Sequence, residues 1–321
     1  MNKILETLEA EREELADWRH DFHMHPELGL EETRTAGIVA QKLRSWGIEV
    51  TEHVGVTGVV GVINGDLGPG RSIGLRCDMD ALPITECSSQ SWKSTVKGKM
   101  HACGHDGHLA VGLGVAQWIK DHADQLCGMI KLVFQPAEEG TRGARPMAES
   151  GILDDVDFIV CTHIGSSVPL HQVAVCTHGY LATTKLDIYF EGVPAHAGAN
   201  PEKGRSALMA ACSAAMMLVG IPRSGEGNTR IAVGRLTAGE GRNVVPVHAH
   251  LQIETRGSTA DVNRYMIDCV KRITAGTALA YDVKSRIEKV GEASELITDQ
   301  AVTDDLMSIA RAAPSIEAVE L

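Results

Sequence analysis

Two patterns of hydrophobic and polar positions divide the chain near residue 180. Upstream of that point, the strand-like segments are short, continuous apolar runs at 56–63, 72–77, 128–134 and 156–162. Continuous apolar runs predict strands that are buried on both faces, as in an α/β sheet covered by helices. The segment 109–126 is predicted to be one of these helices, with Asp106 near its start.

Downstream of residue 180, the strands have one apolar face and one polar face. In 184–192, Leu186, Ile188 and Phe190 point to the same side, which predicts a sheet with one buried face. Strands at 184–192, 229–236, 247–256 and 281–290, with helices at 205–220 and 259–274, follow the order β-α-β-β-α-β. This order predicts a ferredoxin-like domain, and we expect Gly276 just beyond its second helix.

The length of 321 residues is enough for two domains of ordinary size. We expect a first domain over residues 1–179 and the smaller ferredoxin-like domain over 180–290. Residues 291–321 then begin a return to the first domain. Hydrophobic residues make up 44% of the chain, so a substantial core can form.

Charge and terminal composition argue against several classes of partner. A net charge of −12 disfavours nucleic acid and anionic membranes, which bind basic surfaces. The N-terminal segment predicts an amphipathic helix without a signal peptide, and no apolar stretch is long enough for a membrane span. The eight cysteines indicate reduced thiols in a cytoplasmic protein. We expect most of them in the core, with Cys103, among small polar residues, as the exception.

Side chains that bind metals follow three of the upstream strands at the point where each strand ends. They are Asp78 and Asp80 after the second run, Glu138 and Glu139 after the third, and His163 after the fourth. Open α/β sheets bind ligands beyond the carboxyl ends of their strands. The sequence therefore predicts a metal site at this edge of the sheet.

The segment 101–108, "HACGHDGH", adds further ligands but is too glycine-rich for a stable helix or strand. Cys103 and His105 are two positions apart, so an extended loop would direct both toward one ion. A mixture of thiolate, imidazole and carboxylate ligands suits Zn²⁺ or, with more carboxylates, Mn²⁺. His101 and His108 are weaker candidates, and the alternative is an ordinary polar loop.

The adjacent pair Glu138–Glu139 suggests a division of roles, because neighbouring side chains on an extended segment diverge. One carboxylate binds metal, and the other accepts a proton from the water that the metal activates. A solvated acidic loop is the simpler alternative. A rival enzyme hypothesis makes Cys103 a thiol nucleophile paired with a histidine, but it leaves the glutamate pair and His163 unexplained.

The ferredoxin-like domain contains a few further polar candidates. His196 follows a strand in "GVPAHAGANP", Asn243 lies in the loop "GRNVVP", and Arg256 ends a strand. We interpret His248 and His250, on the polar face of an alternating strand, as ordinary solvated histidines.

Seven motifs together resemble the M20 metallopeptidases, subfamily D, which are amidohydrolases of the hippurate hydrolase and N-acyl-amino-acid deacylase type. These motifs are "RHDFHMHPELGLEE", "LRCDMDALPI", "MHACGHDGH", "FQPAEEGTRGA", "THIG", "AHAGANP" and "GRNVVP". The resemblance implies a zinc-exopeptidase-like catalytic domain with an inserted lid and dimerisation domain. It also implies cleavage of the amide bond of N-acyl amino acids, with an aroyl-glutamate such as p-aminobenzoyl-glutamate as the favoured substrate.

The same resemblance implies roles for individual residues. Two divalent ions, Mn²⁺ or Zn²⁺, would be bound by Cys103, His105, Glu139 and His163, with Asp78 and Asp80 orienting the ligands. Glu138 matches the general base. His196 matches a residue that stabilises the oxyanion across a dimer interface, and Asn243 and Arg256 match positions that bind the substrate carboxylate.

The resemblance also bears on assembly. It implies a homodimer formed through the lid domain, and it leaves open that a different, second chain takes part. In relatives, another metal-binding histidine lies beyond the position that matches Leu321. The alternative hypothesis is therefore a truncated, non-catalytic remnant that dimerises or binds metal.

Overall fold

The computed structural model describes residues 2–165, 168–177, 179–313 and 316–320, with side chains from residue 6 onward. The chain forms two compact units. The first unit comprises Met1–Cys176 together with Asp299–Leu321, and the second comprises Thr177–Thr298. Among the helices in these described ranges, none combines the length and apolarity needed to cross a bilayer.

The first unit is built on a five-stranded mixed sheet. Its strands are β1 (Glu49–Val54), β2 (Gly58–Asn64), β3 (Ser72–Asp78), β4 (Met129–Gln135) and β5 (Phe158–Cys161). They lie in the order β1-β2-β4-β3-β5. β3 is parallel to both β4 and β5, whereas β1 and β2 pair antiparallel. The carboxyl ends of three parallel strands therefore meet at one edge of the sheet, as the positions of the apolar runs predict.

Helices and a small second sheet complete the first unit. The helices are α1 (Asn2–Ala10), α2 (Arg12–Met24), α3 (Thr33–Ser45), α4 (His105–Asp121), α5 (Ala144–Glu149) and α8 (Gln300–Ala312). The small sheet pairs β6 (Gln172–Val175) in parallel with β11 (Glu317–Glu320). Leu109 and Leu113 of α4 pack into one core cluster with Cys77 of β3 and Phe134 of β4.

α4 begins four residues earlier than the apolar pattern predicts. Gly104 has φ +91°, a left-handed conformation that glycine adopts at little cost, and His105 is the first helical residue. The prediction that 101–108 is too glycine-rich for a helix is therefore wrong for 105–108. Cys103 and His105 do not sit on one extended loop, because a helix start separates them.

The second unit has the predicted β-α-β-β-α-β order, and the expected α/β class with a ferredoxin-like domain is confirmed. Its elements are β7 (Ala182–Glu191), α6 (Ala207–Val219), β8 (Thr229–Ala238), β9 (His248–Gly257), α7 (Ala260–Tyr281) and β10 (Lys284–Ala293). The sheet is antiparallel in the order β10-β7-β9-β8. Leu186, Ile188 and Phe190 are buried in its core, as their alternation predicts.

Two expectations about individual residues are corrected. α7 continues past Gly276 to Tyr281 and ends at Asp282, whose φ of +51° supplies the left-handed conformation expected of the glycine. The cysteines are not mostly core residues: only Cys77 and Cys269 are buried, while the other six are half-buried or exposed. All eight, each within the described residues, are free thiols.

Two helical glycines provide a matched stability test. A Cβ at Gly112 would lie 2.5 Å from Cys77 Sγ, whereas a Cβ at Gly276 would have nothing within 4 Å. Gly112→Ala should lower the free energy of unfolding by about 1–3 kcal/mol through overpacking. Gly276→Ala should raise it by about 0.5–1 kcal/mol, because alanine favours the helix. Denaturant unfolding of both variants measures these changes, and equal effects would contradict the packing of α4 on β3.

Candidate metal centre

The predicted ligands of the first unit converge where β3, β4 and β5 end and α4 begins. Cys103, His105 and His163 each offer a ligand atom within 4.8 Å of the other two. His105 also forms such a group with Glu138 and Glu139. The Sγ of Cys103 lies 3.4 Å from Nε2 of His163. Residues from four separated segments therefore surround one position, with His105 at its centre.

His105 is fully buried and oriented by the main chain of Asp80. Its Nδ1–H donates to the carbonyl oxygen of Asp80 at 2.7 Å, which directs Nε2 toward the cluster. Nε2 is buried without a hydrogen-bond partner among the described residues, and lies 3.8 Å from Oε2 of Glu138. Burial lowers the pKa of His105, but hydrogen bonding to Asp80 and the charges of Asp78 and Asp80 raise it to about 9. A buried Nε2 with its Nδ1 held by a carbonyl fits a metal ligand.

His163 is oriented in a similar way. Its Nδ1–H donates to the carbonyl oxygen of Ile164 at 2.8 Å, so the Nε2 lone pair faces Cys103. The Ile164 N–H in turn donates to Nε2 of His108 at 3.2 Å. His108 therefore supports the segment that carries His163.

Asp78 lies on the other side of His108. Its Oδ2 is 3.4 Å from the His108 Nδ1, and Arg76 forms an ion pair with its Oδ1. Burial opposes the shift, but the hydrogen bond from His108 and the charge of Arg76 hold the pKa of Asp78 below its ordinary value. An ionised Asp78 thus adds negative charge beneath the cluster.

The two glutamates follow β4 on a tight turn whose amides are held by Asp80. The Glu138 N–H donates to Oδ1 of Asp80 at 3.0 Å, and the Glu139 N–H donates to Oδ2 at 3.1 Å. Burial and the charge of Asp78 raise the pKa of Glu138 despite the opposing charge of Arg76. A raised pKa brings a carboxylate closer to the range in which it can both accept and release protons.

Several supporting residues were missed by sequence reasoning. The buried carboxylate of Glu32 accepts the Ala137 N–H at 2.9 Å, directly before Glu138. Beneath the first turn of α4, Oδ2 of Asp106 lies 3.0 Å from Arg19 Nε and 3.0 Å from His23 Nδ1. The available signal was the motif "RHDFHMHPELGLEE", which contains three of these side chains.

His101 is buried beneath the same region and is not among the grouped ligand atoms. Burial lowers its pKa to about 4, because the charge of Asp106 only partly offsets the loss of solvation. A neutral imidazole in the interior fits the weaker, supporting role predicted for His101.

The remaining predicted residues lie in the second unit. The exposed His196 bridges to Val244, and the Ala197 N–H donates to the Asn243 carbonyl at 2.9 Å, so their two segments run side by side. Arg256 lies near the opposite end of β9, exposed and ion-paired with Glu254. The unit thus brings His196 and Asn243 together but leaves Arg256 apart from them.

The two strand histidines differ in their environments. His248 is exposed, as expected for a solvated residue. His250 is half-buried, lies 2.9 Å from Oδ2 of Asp187 through Nε2, and stacks on Tyr189 with ring centroids 4.4 Å apart. The interpretation of His250 as an ordinary solvated histidine is therefore wrong.

Comparison with known proteins places this cluster in a family context. The family model for peptidase family M20/M25/M40 matches residues 74–318, which include all the predicted site residues. The chain belongs to peptidase family M20/M25/M40. It is a hydrolase of amide bonds, and the resemblance seen in its motifs is confirmed.

Two relatives illustrate the chemistry of the family. The chain is 40% identical to a named component of the p-aminobenzoyl-glutamate hydrolase of Escherichia coli K12, over 87% of this chain and 74% of that protein. It is 38% identical to indole-3-acetyl-aspartic acid hydrolase of Enterobacter agglomerans, over 95% of this chain and 80% of that protein. Both names describe hydrolases of acylated amino acids, and they favour the enzyme hypothesis over a non-catalytic remnant.

Two solved structures share the fold. An aminobenzoyl-glutamate utilization protein from Klebsiella pneumoniae has a TM-score of 0.83 and 35% identity, covering 99% of this chain and 86% of that chain. A Bacillus subtilis protein, described as a dinuclear metal-binding peptidase of family M20, has a TM-score of 0.73 and 27% identity, covering 97% and 82%. A metal centre in this chain agrees with that description.

The thiol of Cys103 provides a test of the rival nucleophile hypothesis. Burial and the charges of Glu139 and Glu138 raise its pKa to about 12, so the metal-free thiol stays protonated near neutral pH. In chelator-treated protein at pH 8, iodoacetamide should alkylate Cys103 at least about tenfold more slowly than the exposed Cys87 and Cys127. Peptide mass spectrometry measures the rates, and preferential alkylation of Cys103 would favour a thiolate nucleophile instead.

Proposed function

We propose that this hydrolase cleaves aromatic acyl derivatives of acidic amino acids, with p-aminobenzoyl-glutamate as the favoured substrate. The names of the two relatives support this choice, since each combines an aromatic acyl group with glutamate or aspartate. The observation that carries the proposal is the convergence of Cys103, His105, Glu138 and His163 at one edge of the sheet.

Two divalent cations, Mn²⁺ or Zn²⁺, are the proposed cofactors, and Cys103, His105, Glu139 and His163 are the residues that would bind them. The donor set and the unpartnered, buried Nε2 of His105 support this assignment. When bound, such cations polarise the amide carbonyl and lower the pKa of water. Asp80 orients His105 and the two glutamates, while Asp78 supports His108.

Glu138 is the proposed general base and acid. Its carboxylate accepts a proton from the attacking water and then donates it to the leaving amine nitrogen as the amide bond breaks. The raised pKa of Glu138 suits both steps, because the protonated form is accessible closer to neutral pH. The carboxylate Oε2 already faces the cluster, 3.8 Å from Nε2 of His105.

The second unit is proposed to serve as a lid and dimerisation domain. Its His196 would stabilise the oxyanion of a partner's substrate, and Asn243 and Arg256 would bind the substrate carboxylate. The methionines Met209, Met216 and Met217 of α6 are exposed, and β8 lies at the edge of its sheet. An apolar helix face beside an open strand edge supports a homodimer.

Two further features of the protein stay predictions. The Escherichia coli relative is named as one component of its hydrolase, which suggests that a different, second chain could join this one. The cytoplasmic location rests on the sequence alone.

Replacing Glu138 tests the proposed reaction. With Mn²⁺ or Zn²⁺ supplied, Glu138→Gln should reduce kcat for p-aminobenzoyl-glutamate by about 10²-fold or more, because proton transfer is lost. Release of p-aminobenzoate measures the rate. The exposed Glu149→Gln on α5 is the matched control and should retain wild-type activity. Undiminished hydrolysis by Glu138→Gln, or by chelator-treated wild type, would contradict the proposal.

A further inference from the structure

Three consecutive amides of the turn that carries the glutamates donate to buried carboxylates. We call residues 136–142 the glutamate loop. Within it, the N–H groups of Glu138 and Glu139 donate to Asp80, and the Ala137 N–H donates to Oε1 of Glu32 at 2.9 Å. Asp80 follows the neighbouring strand, but Glu32 is 105 positions before Ala137 and comes from an unrelated segment.

The carboxylate of Glu32 is committed to this contact. Glu32 is 0% exposed and occupies the position that begins α3, yet its side chain accepts no hydrogen bond from that helix. Its other oxygen, Oε2, accepts from the hydroxyl of Thr57 at 2.7 Å. Both oxygens therefore face away from α3, and the second contact fixes the orientation of the first.

The glutamate loop has a backbone conformation that requires such support. Ala137 has φ +50° and Thr141 has φ +52°, both in the left-handed region that non-glycine residues adopt at a cost. Within the loop, the Thr141 N–H donates to the Glu138 carbonyl at 2.7 Å. Contacts from outside the loop must maintain the strained Ala137, since it immediately precedes Glu138.

The segment before α3 touches the loop at a second point. A Cβ at Gly29 would lie 2.9 Å from both Cα and Cβ of Ala137, so the two backbones are in close contact. Nη2 of Arg142 donates to the Gly29 carbonyl at 3.3 Å. The residues 29–32 thus pack against both ends of the glutamate loop.

We propose that Glu32 is a positioning residue for the reaction: by holding the Ala137 N–H, it sets where Glu138 and Glu139 stand. Glu32 contacts neither the grouped ligand atoms nor the proposed reacting atoms, so it acts through the loop. The inference rests on the proposed roles of Glu138 and Glu139. Its structural part, a loop held by a buried carboxylate, is measurable without turnover.

The test compares three variants. Glu32→Ala removes the acceptor, whereas Glu32→Gln keeps an amide oxygen for Ala137 and an NH₂ group that the Thr57 hydroxyl can accept. Glu27→Ala is the matched control, because the Glu27 carboxylate accepts the Arg34 N–H at 3.0 Å and the Thr35 N–H at 2.8 Å in α3 without touching the loop.

Two measurements are made on each variant: hydrogen exchange of the peptide spanning the glutamate loop in chelator-treated protein, and kinetics with p-aminobenzoyl-glutamate in Mn²⁺. For Glu32→Ala we expect at least tenfold faster exchange of the loop amides. We also expect at least tenfold lower kcat, with KM changed less than threefold. Glu32→Gln should restore both values to within about threefold of wild type. Glu27→Ala should lose stability but keep wild-type loop exchange and kcat.

The outcomes distinguish the two proposals. If wild type hydrolyses no acylated amino acid, the proposed function fails, while loop exchange still decides whether Glu32 holds the loop. Equal exchange and kcat in Glu32→Ala and Glu27→Ala, or a Glu32→Gln variant as defective as Glu32→Ala, would overturn the inference. Should Glu32→Ala not fold, Gly29→Ala replaces it, because its methyl group presses on Ala137. Unchanged loop exchange in Gly29→Ala would then contradict the inference.

Discussion

The site in the first unit depends on one buried residue, Asp80, which connects three segments through hydrogen bonds. Its carbonyl oxygen accepts from His105, which begins α4, and its carboxylate accepts from the amides of Glu138 and Glu139 after β4. Each bond joins groups shielded from water, where loss of one partner is expensive. The orientation of the histidine and of both glutamates is therefore set by the same residue at the end of β3.

This arrangement concentrates negative charge that the protein itself does not neutralise. Asp78 and Asp80 are buried together, with Glu138 and Glu139 close by, and Arg76 is the cation that pairs with Asp78. The raised pKa values of Glu138 and His105 share one electrostatic origin, since the acidic groups disfavour further anions and favour cations. A divalent cation answers the same field, so the site's electrostatics and its ligand chemistry point to the same occupant.

Much of the fold was predictable because its strands are local patterns. The continuous apolar runs predicted β2 to β5, and the alternation of Leu186, Ile188 and Phe190 predicted β7 with its buried face. The start of α4 was missed because it depends on the φ of Gly104, and the end of α7 because the left-handed residue is Asp282. The ligand types were visible at strand ends, but the contacts of Glu32 and of the Asp80 carbonyl link residues distant in sequence. No local pattern encodes such contacts.

The central claim is that Cys103 and His105 bind the same metal centre as His163 and Glu139. X-ray absorption spectroscopy of the Zn²⁺-loaded protein tests it most directly, because it detects the atoms bonded to zinc. We predict a sulfur scatterer at about 2.3 Å together with nitrogen and oxygen at about 2.0–2.2 Å, and loss of the sulfur contribution in Cys103→Ser. A zinc environment of nitrogen and oxygen alone in the wild type would contradict the claim.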